Sequence, residues 1–217
     1  MTYKIAMVAQ KGGVGKSTLA RIIAVEATKG GLQTKIADLD TQQTTSVNWA
    51  ARRAANGLEP TIRAETFRSV DTALQDSENF DLYIFDGAPH SSVETQAACR
   101  SADMVVIPTS EGLDDLQPSV LLANNLLKAG ISVNRVAFAL CITSDSAREI
   151  AGAREYLGQT PYMVLEGEIP FRAAFKTAMD QGKAITETSF PTLRKRADAM
   201  AQSIIDAVAA AAEREVT

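Results

Sequence analysis

The sequence predicts an α/β fold, a doubly wound, mostly parallel sheet flanked by helices. Three observations carry this. Apolar runs of strand length alternate with segments of helical spacing along the 217 residues, the order that builds βαβ units and a parallel sheet. The first run is joined to the first helical segment by a glycine-rich loop, Gln10–Thr18 (QKGGVGKST). Two further runs deliver aspartates, Asp38 with Asp40 and then Asp86, to their C-terminal ends. That edge is where open α/β sheets bind ligands.

Tyr3–Ala9 (YKIAMVA) reads as the first strand. Leu19–Gly31 reads as a helix with Leu19, Ile22, Ile23 and Ala27 on one face. Between them, Gly12, Gly13 and Gly15 let the backbone curl until its N–H groups converge on an anion. The helix N-terminus adds partial positive charge. Strand, glycine loop and helix together make Lys11, Gly12, Gly13, Val14, Gly15, Lys16, Ser17 and Thr18 a candidate phosphate site. Lys16 is expected on the β- and γ-phosphate oxygens, and the Ser17 hydroxyl on a Mg²⁺ ion that keeps several waters.

Gly30 and Gly31 stop the helix. Gln33–Leu39 (QTKIADL) is the second strand. Asp38 and Asp40 can both face the site once that strand bends into a loop; the alternative is a helix cap plus a surface charge. Thr44–Asn56 reads as a helix stopped by Gly57, and its Trp49, the sole tryptophan, as a packing residue rather than a base-stacking platform. Thr61–Thr66 reads as a short strand and Val70–Ser77 as a helix. Phe80–Asp86 (FDLYIFD) is a buried strand ending in a carboxylate, suited to accept hydrogen bonds from Mg²⁺-bound water and the loop hydroxyl. Gly87–His90 then turns back; His90, the one histidine, is not expected to act as a general base. Ala102–Pro108 and Val133–Ile142 are strands around a helix at Asp114–Lys128. Thr143–Asp145 caps a helix at Ala147–Leu157. Helices follow at Phe171–Gln181 and from Pro191 to near Glu213, the last opening with Leu-Arg-Lys-Arg.

The length fits one domain spanning 1–217, and 46% hydrophobic with 22% charged residues is a globular balance that can bury a large core. A net charge of −4 argues against a wholly basic nucleic-acid binder while leaving room for a local basic patch. The N-terminus shows no charged leader with a cleavage site, and no apolar run approaches the ~20 residues of a membrane span. Cys99 and Cys141 sit in apolar surroundings and read as buried, reduced thiols of a cytoplasmic protein.

One departure in the glycine loop carries information. The first glycine of a GxxxxGK pattern would fall at Gln10, and a lysine stands at position 11 instead. This is similar to the deviant Walker A motif, with its signature lysine, of the ParA/MinD group of ATPases. The resemblance is strongest over 3–48 and 80–118. It implies that Lys11 crosses a dimer interface to the nucleotide of the other subunit. It implies that Asp40 orients or activates the attacking water, that Asp38 lies near the metal, and that Asp86 is the Walker B carboxylate, acting through water. The family's Pro-Gln after the second aspartate is Thr41-Gln42 here, so only the Gln matches. Gly167–Pro170 with Phe171 resembles the family's loop beside the adenine, which makes Pro170 and Phe171 nucleotide contacts.

The function implied is hydrolysis of ATP with Mg²⁺, in a protein closest to short ParA partition ATPases. Such a protein dimerises with ATP, binds DNA of any sequence and is stimulated by a ParB-like partner. Candidate DNA contacts are Arg172, Lys176, Arg194, Lys195 and Arg196. The chain begins at the loop strand, so an operator-reading helix-turn-helix is not expected. Three alternatives stay open. A MinD-like membrane positioner is disfavoured by Ile204, Ile205 and Val208 lying among alanines before an acidic-leaning tail. A metabolic ligase or synthetase on the same fold does not need Lys11. A positioner of non-DNA cargo would read the same. Some relatives bridge an iron–sulfur cluster with paired cysteines, but neither cysteine here lies in a glycine-rich loop.

Overall fold

The apolar runs form a seven-stranded sheet, parallel throughout, in the computed structural model, which describes residues 2–88 and 93–215. In chain order the elements are β1 (Tyr3–Met7), α1 (Lys16–Lys29), β2 (Thr34–Asp38), α2 (Thr45–Ala55), β3 (Arg63–Thr66) and α3 (Val70–Ser77). Then come β4 (Leu82–Asp86), α4 (Val93–Ser101), β5 (Met104–Thr109), α5 (Leu113–Lys128), β6 (Val136–Thr143) and α6 (Ala147–Gly158). β7 (Met163–Pro170), α7 (Ala173–Asp180) and α8 (Pro191–Glu215) complete the chain.

The strand order β3-β2-β4-β1-β5-β6-β7 reverses direction once. From β1 the chain steps outward to β2 and β3, then returns through β4 and continues past β1 to β7. Parallel crossovers are right-handed, so the reversal moves the connecting helices to the opposite face. Side chains alternate between faces along each strand, and two cores result. Ile5 and Met7 of β1 face Ile22 of α1, Trp49 of α2, Phe175 of α7 and Ile204 of α8. Ala6 of β1 and Phe85 of β4 belong to the other core, with Val70 of α3, Cys99 of α4, Leu122 of α5 and Leu157 of α6. The chain leaves β1 toward one face, while it leaves the neighbouring β4 and β5 toward the other. A crevice therefore opens at the C-terminal ends of these three strands, the switch point of a doubly wound sheet.

Two elements depart from the sequence expectation. α4 was not foreseen, because its buried side chains are Thr95, Ala98 and Cys99, too small and polar to give a clear apolar period. Gly167–Pro170, expected as a loop, instead ends a strand over Met163–Pro170; it is the last strand on its side of the sheet, and Glu166, Gly167 and Glu168 interrupt its apolar pattern. Residues Val133–Arg135, read as strand, form a 3-10 turn that leads into β6. The turn expected over Gly87–His90 lies partly, and His90 wholly, outside the described residues.

Trp49 is fully buried, and its indole N–H donates to the Lys183 carbonyl at 3.1 Å, so packing is its role. Beside it stands a buried ion pair. Arg53, 0% exposed, donates to both Glu187 oxygens at 2.6 and 3.0 Å and to the carbonyls of Glu59, Pro60 and Gly182. Burial alone would raise the Glu187 carboxyl, but Arg53, the Ala184 N–H and Lys29 hold it below its ordinary value. A depressed folded-state pKa means that this stabilisation is present above about pH 4.3 and is lost as pH falls through the lower folded value. Glu187→Ala should cost about 3–5 kcal/mol at neutral pH, because it strands a buried guanidinium. Urea unfolding checks this. The Arg53→Met/Glu187→Leu double variant should recover much of the loss, and a cost below about 1 kcal/mol for Glu187→Ala would show the pair to be dispensable.

Candidate functional site

The glycine loop connects β1 to α1 at the switch point. Gly15 has φ 113°, and a Cβ there would lie 3.1 Å from the Cβ of Cys141 and 3.3 Å from its Sγ. The residue must therefore be glycine both for its left-handed backbone and for its contact with β6. On the neighbouring strand, a Cβ on Gly87 would lie 2.7 Å from the Met7 carbonyl, so the exit from β4 passes directly against β1. The loop and the ends of β6 and β7 surround one cavity of about 380 Å³. Of the expected nucleotide residues, Gly13, Gly15, Lys16, Ser17, Thr18, Pro170 and Phe171 line it. Gly12, Val14 and Lys11 face a separate recess with Ser110 and Asp115. Ile142 borders both spaces with φ 58°, an unusual conformation for a β-branched side chain, stored where β6 bulges.

Asp38 and Asp86 are register partners on β2 and β4, and both are buried. Asp38 spends its oxygens on the following loop: Oδ1 accepts from Asp40 N at 3.1 Å and Oδ2 from Ser46 N at 2.9 Å, at the start of α2. Burial and the neighbouring Asp86 charge push its pKa up to about 6. Burial likewise raises Asp86, against the hydroxyls of Ser46 and Ser17 and the charges of Arg21 and Lys16. The Ser46 hydroxyl donates to Asp86 Oδ2 at 2.6 Å, whereas Asp86 Oδ1 is buried with no hydrogen-bond partner among the described residues. A buried acceptor without a donor beside the Ser17 hydroxyl suits a Mg²⁺ ion with its waters. Asp86 and Ser17 would hold that ion, which would neutralise phosphate charge. Asp38, with both oxygens engaged by backbone, holds the loop that carries Ser46.

Lys16 is 7% exposed, and its ammonium donates to the Lys11 carbonyl at 3.4 Å. Burial lowers its pKa, opposed by the charges of Asp86 and Asp40. Asp40 thus lies within electrostatic reach of Lys16. Its Oδ1 also accepts from Gln42 N at 3.2 Å and Gln43 N at 3.0 Å, so the carboxylate shapes its own turn. Lys11 is turned outward onto α5: its ammonium donates to the Asp114 carbonyl at 2.6 Å and to Asp115 Oδ1 at 2.7 Å. The Ser110 hydroxyl donates to the other Asp115 oxygen at 2.5 Å.

The expected basic patch divides. Arg172 and Lys176 line the nucleotide cavity. Arg172 and Arg196 both pair with Asp145, and Arg196 also pairs with Glu168 at 3.0 Å. Arg194 and Lys195 are exposed and form no ion pair among the described residues. Cys99 and Cys141 are free and buried, and burial pushes both thiols up to about 12, which makes them unreactive. Sequence reasoning missed Arg21, Thr45, Ser46, Met179 and Asp115. The one available signal was a charged Arg21 inside the apolar stretch 19–25; the others needed the docking of α2 and α7 on α1 and the approach of α5 to the loop.

Comparison with known proteins bears on this geometry. No curated protein matches the chain in sequence. Among solved structures, the septum site-determining protein MinD of Pyrococcus horikoshii, complexed with Mg-ADP, aligns at TM-score 0.73 and 15% identity, covering 94% of this chain and 96% of that one. A putative plasmid partition protein from Borrelia burgdorferi bound to AMPPNP aligns at 0.71 and 15%, covering 95% and 99%. McdA of Cyanothece, in its apo form, aligns at 0.71 and 17%, covering 94% and 100%. At these identities the likeness is one of fold. The family model for the CobQ/CobB/MinD/ParA nucleotide binding domain matches residues 5–185. With that match spanning the glycine loop, the buried aspartate pair and the cavity between them, the chain belongs to the CobQ/CobB/MinD/ParA nucleotide-binding domain family.

Proposed function

We propose that this protein is an ATP-hydrolysing switch of the ParA kind, whose Mg²⁺–ATP-bound dimer binds DNA of any sequence and is released when a partner protein stimulates hydrolysis. The observation that carries this reading is the setting of Lys11. Its side chain is 47% exposed and borders the recess outside its own cavity, where a second subunit can receive it. A lysine used only for its own nucleotide would turn inward, as Lys16 does. Within one subunit, Lys16 neutralises the β- and γ-phosphates, Asp86 and Ser17 hold the metal, and Asp40 orients the attacking water. The resting site lacks the second subunit's Lys11, so intrinsic turnover is slow. A similar P-loop ligase would not need that lysine. The apolar face of Ile204 and Val208 is packed into the protein's own core, which disfavours a lipid-binding last helix.

The free cations supporting DNA binding are Arg194 and Lys195 at the start of α8. Positive charge at a helix N-terminus opposes the macrodipole, so stability alone does not explain the pair. Anisotropy with labelled duplex should show binding with ATP and none with ADP. Arg194→Glu/Lys195→Glu should weaken it evenly across sequences and flatten the slope of log K against log salt by about one unit per lost phosphate contact. Arg196→Glu is a poorer probe, because it also breaks pairs with Asp145 and Glu168. An unchanged slope discards this patch, and no ATP-dependent binding at any salt moves the reading to a non-DNA cargo.

A further inference from the structure

The nucleotide cavity holds a second buried cation that the glycine loop does not announce. Arg21 stands three residues after Thr18 and four after Ser17, on the same face of α1, and its side chain runs back toward the helix N-terminus. It is 8% exposed and lines the cavity. A guanidinium carries five N–H donors, yet the partners of this one are weak. Nε meets the Ser46 hydroxyl at 3.4 Å and Nη1 meets the Met179 sulfur at 3.9 Å, while Nη2 has no hydrogen-bond partner among the described residues. The Thr18 hydroxyl rests on the same Met179 sulfur at 3.5 Å. A thioether is a poor acceptor. Two donors converging on it in a buried space lack a strong acceptor, and a phosphate oxygen is one.

Charge counting points the same way. Lys16, Arg21, Arg172 and Lys176 all line the cavity, which no carboxylate among the described residues lines, so Arg21 belongs to a set of cations gathered around one space. Lys16 and Ser17 serve the terminal phosphates on this reading, and Pro170 and Phe171 line the same cavity. Arg21 and Thr18 lie along the α7 side.

We infer that Arg21, with Thr18, binds the nucleotide phosphate nearest the ribose, giving up the Met179 sulfur to do so. The inference rests on the nucleotide reading of this cavity. Because that phosphate is common to ADP and ATP, Arg21 sets affinity for both and does not discriminate between them. The competing role is a counter-ion: Arg21 would simply balance Asp86 and Asp38 in the core and touch no ligand.

Isothermal titration calorimetry of the full chain with ADP and with ATP, each with Mg²⁺ and with EDTA, separates the two. Arg21→Met keeps the unbranched stem beside Trp49, whose ring centroid lies 5.6 Å from the guanidinium carbon. It should weaken both nucleotides by a similar factor of about 10–100, the range of a charge-assisted hydrogen bond, with and without Mg²⁺. Arg21→Lys, which keeps the charge and loses the fork, should recover part of that loss, and Thr18→Val should add to it. Near-wild-type affinity in a folded Arg21→Met, judged by its nucleotide-free melting curve, overturns the inference. So does a loss confined to the Mg²⁺ titrations, which assigns Arg21 to the carboxylates. If Arg21→Met does not fold, equal affinities for Arg21→Lys, Thr18→Val and wild type overturn it as well. Failure of the wild type to bind ADP at all would instead remove the nucleotide reading beneath it.

Discussion

Lys11→Ala should still bind ADP and ATP as a monomer, while ATP-dependent dimerisation is lost and hydrolysis falls by about 10³–10⁵-fold, the scale of a charged residue supplied in trans to a phosphoryl-transfer site. The structure gives the energetic argument. In the resting chain Lys11 is paired with Asp115, whose carboxyl is held below its ordinary value by Lys11 and the Ser110 hydroxyl. Both side chains are partly exposed, at 47% and 29%. Exposed pairs of this kind contribute about 0–1 kcal/mol, so releasing Lys11 costs little. The triphosphate of a second subunit, partly shielded from water at the proposed dimer interface, would offer a far larger attraction. In the proposed dimer the lysine would exchange a position that is cheap to leave for one available only with a bound partner. Sedimentation with and without ATP tests this. A variant that dimerises as the wild type does rules out the cross-subunit role, whatever its turnover.

Asp40→Asn should bind ATP, dimerise and then stall, with single-turnover hydrolysis reduced by about 10²–10⁴-fold, the range of a positioned proton acceptor. Asparagine is the informative replacement because it separates the turn-capping role that the structure shows from the proposed role toward water. Its Oδ1 caps the turn through Gln42 N and Gln43 N, and an amide oxygen can keep both bonds. The negative charge is then the one thing removed. ATP affinity should hold or rise slightly, since one carboxylate fewer repels the triphosphate. Asp40→Ala removes both jobs, so a large loss in alanine with near-normal turnover in asparagine would make Asp40 a structural residue only. Quenched single-turnover assays read the difference directly.

How much of this was legible beforehand differs by element. Gln10–Thr18 announced a phosphate loop, because a strand, three glycines, a lysine and a serine in fixed order allow few other uses. Phe80–Asp86 announced a buried strand with a carboxylate at its tip, because its apolar run is continuous. β7 was not legible as a strand, and its second half, Gly167–Pro170, reads as a loop, since the last strand on its side of the sheet tolerates Glu166, Gly167 and Glu168 that a central strand would not. α4 was overlooked, since alanine, cysteine and threonine bury too little apolar surface to write a period. In both cases tertiary position, rather than local pattern, made the element.

The sequence by itself determined the fold class, the loop, its lysines and the acidic strand ends, because each of these is written in local order and spacing. Tertiary structure alone decided what those groups touch. It paired Lys11 with Asp115 across 104 positions, hung Ser46 on Asp86 across 40, and set Thr18 on Met179 across 161. It turned Arg172 and Lys176 from surface charges into cavity lining, and it brought a buried Arg21 to the same cavity. The reason is physical. Backbone periodicity and glycine geometry act within one or two turns of chain, whereas hydrogen bonds and ion pairs act over a few ångströms between elements whose docking the whole core determines.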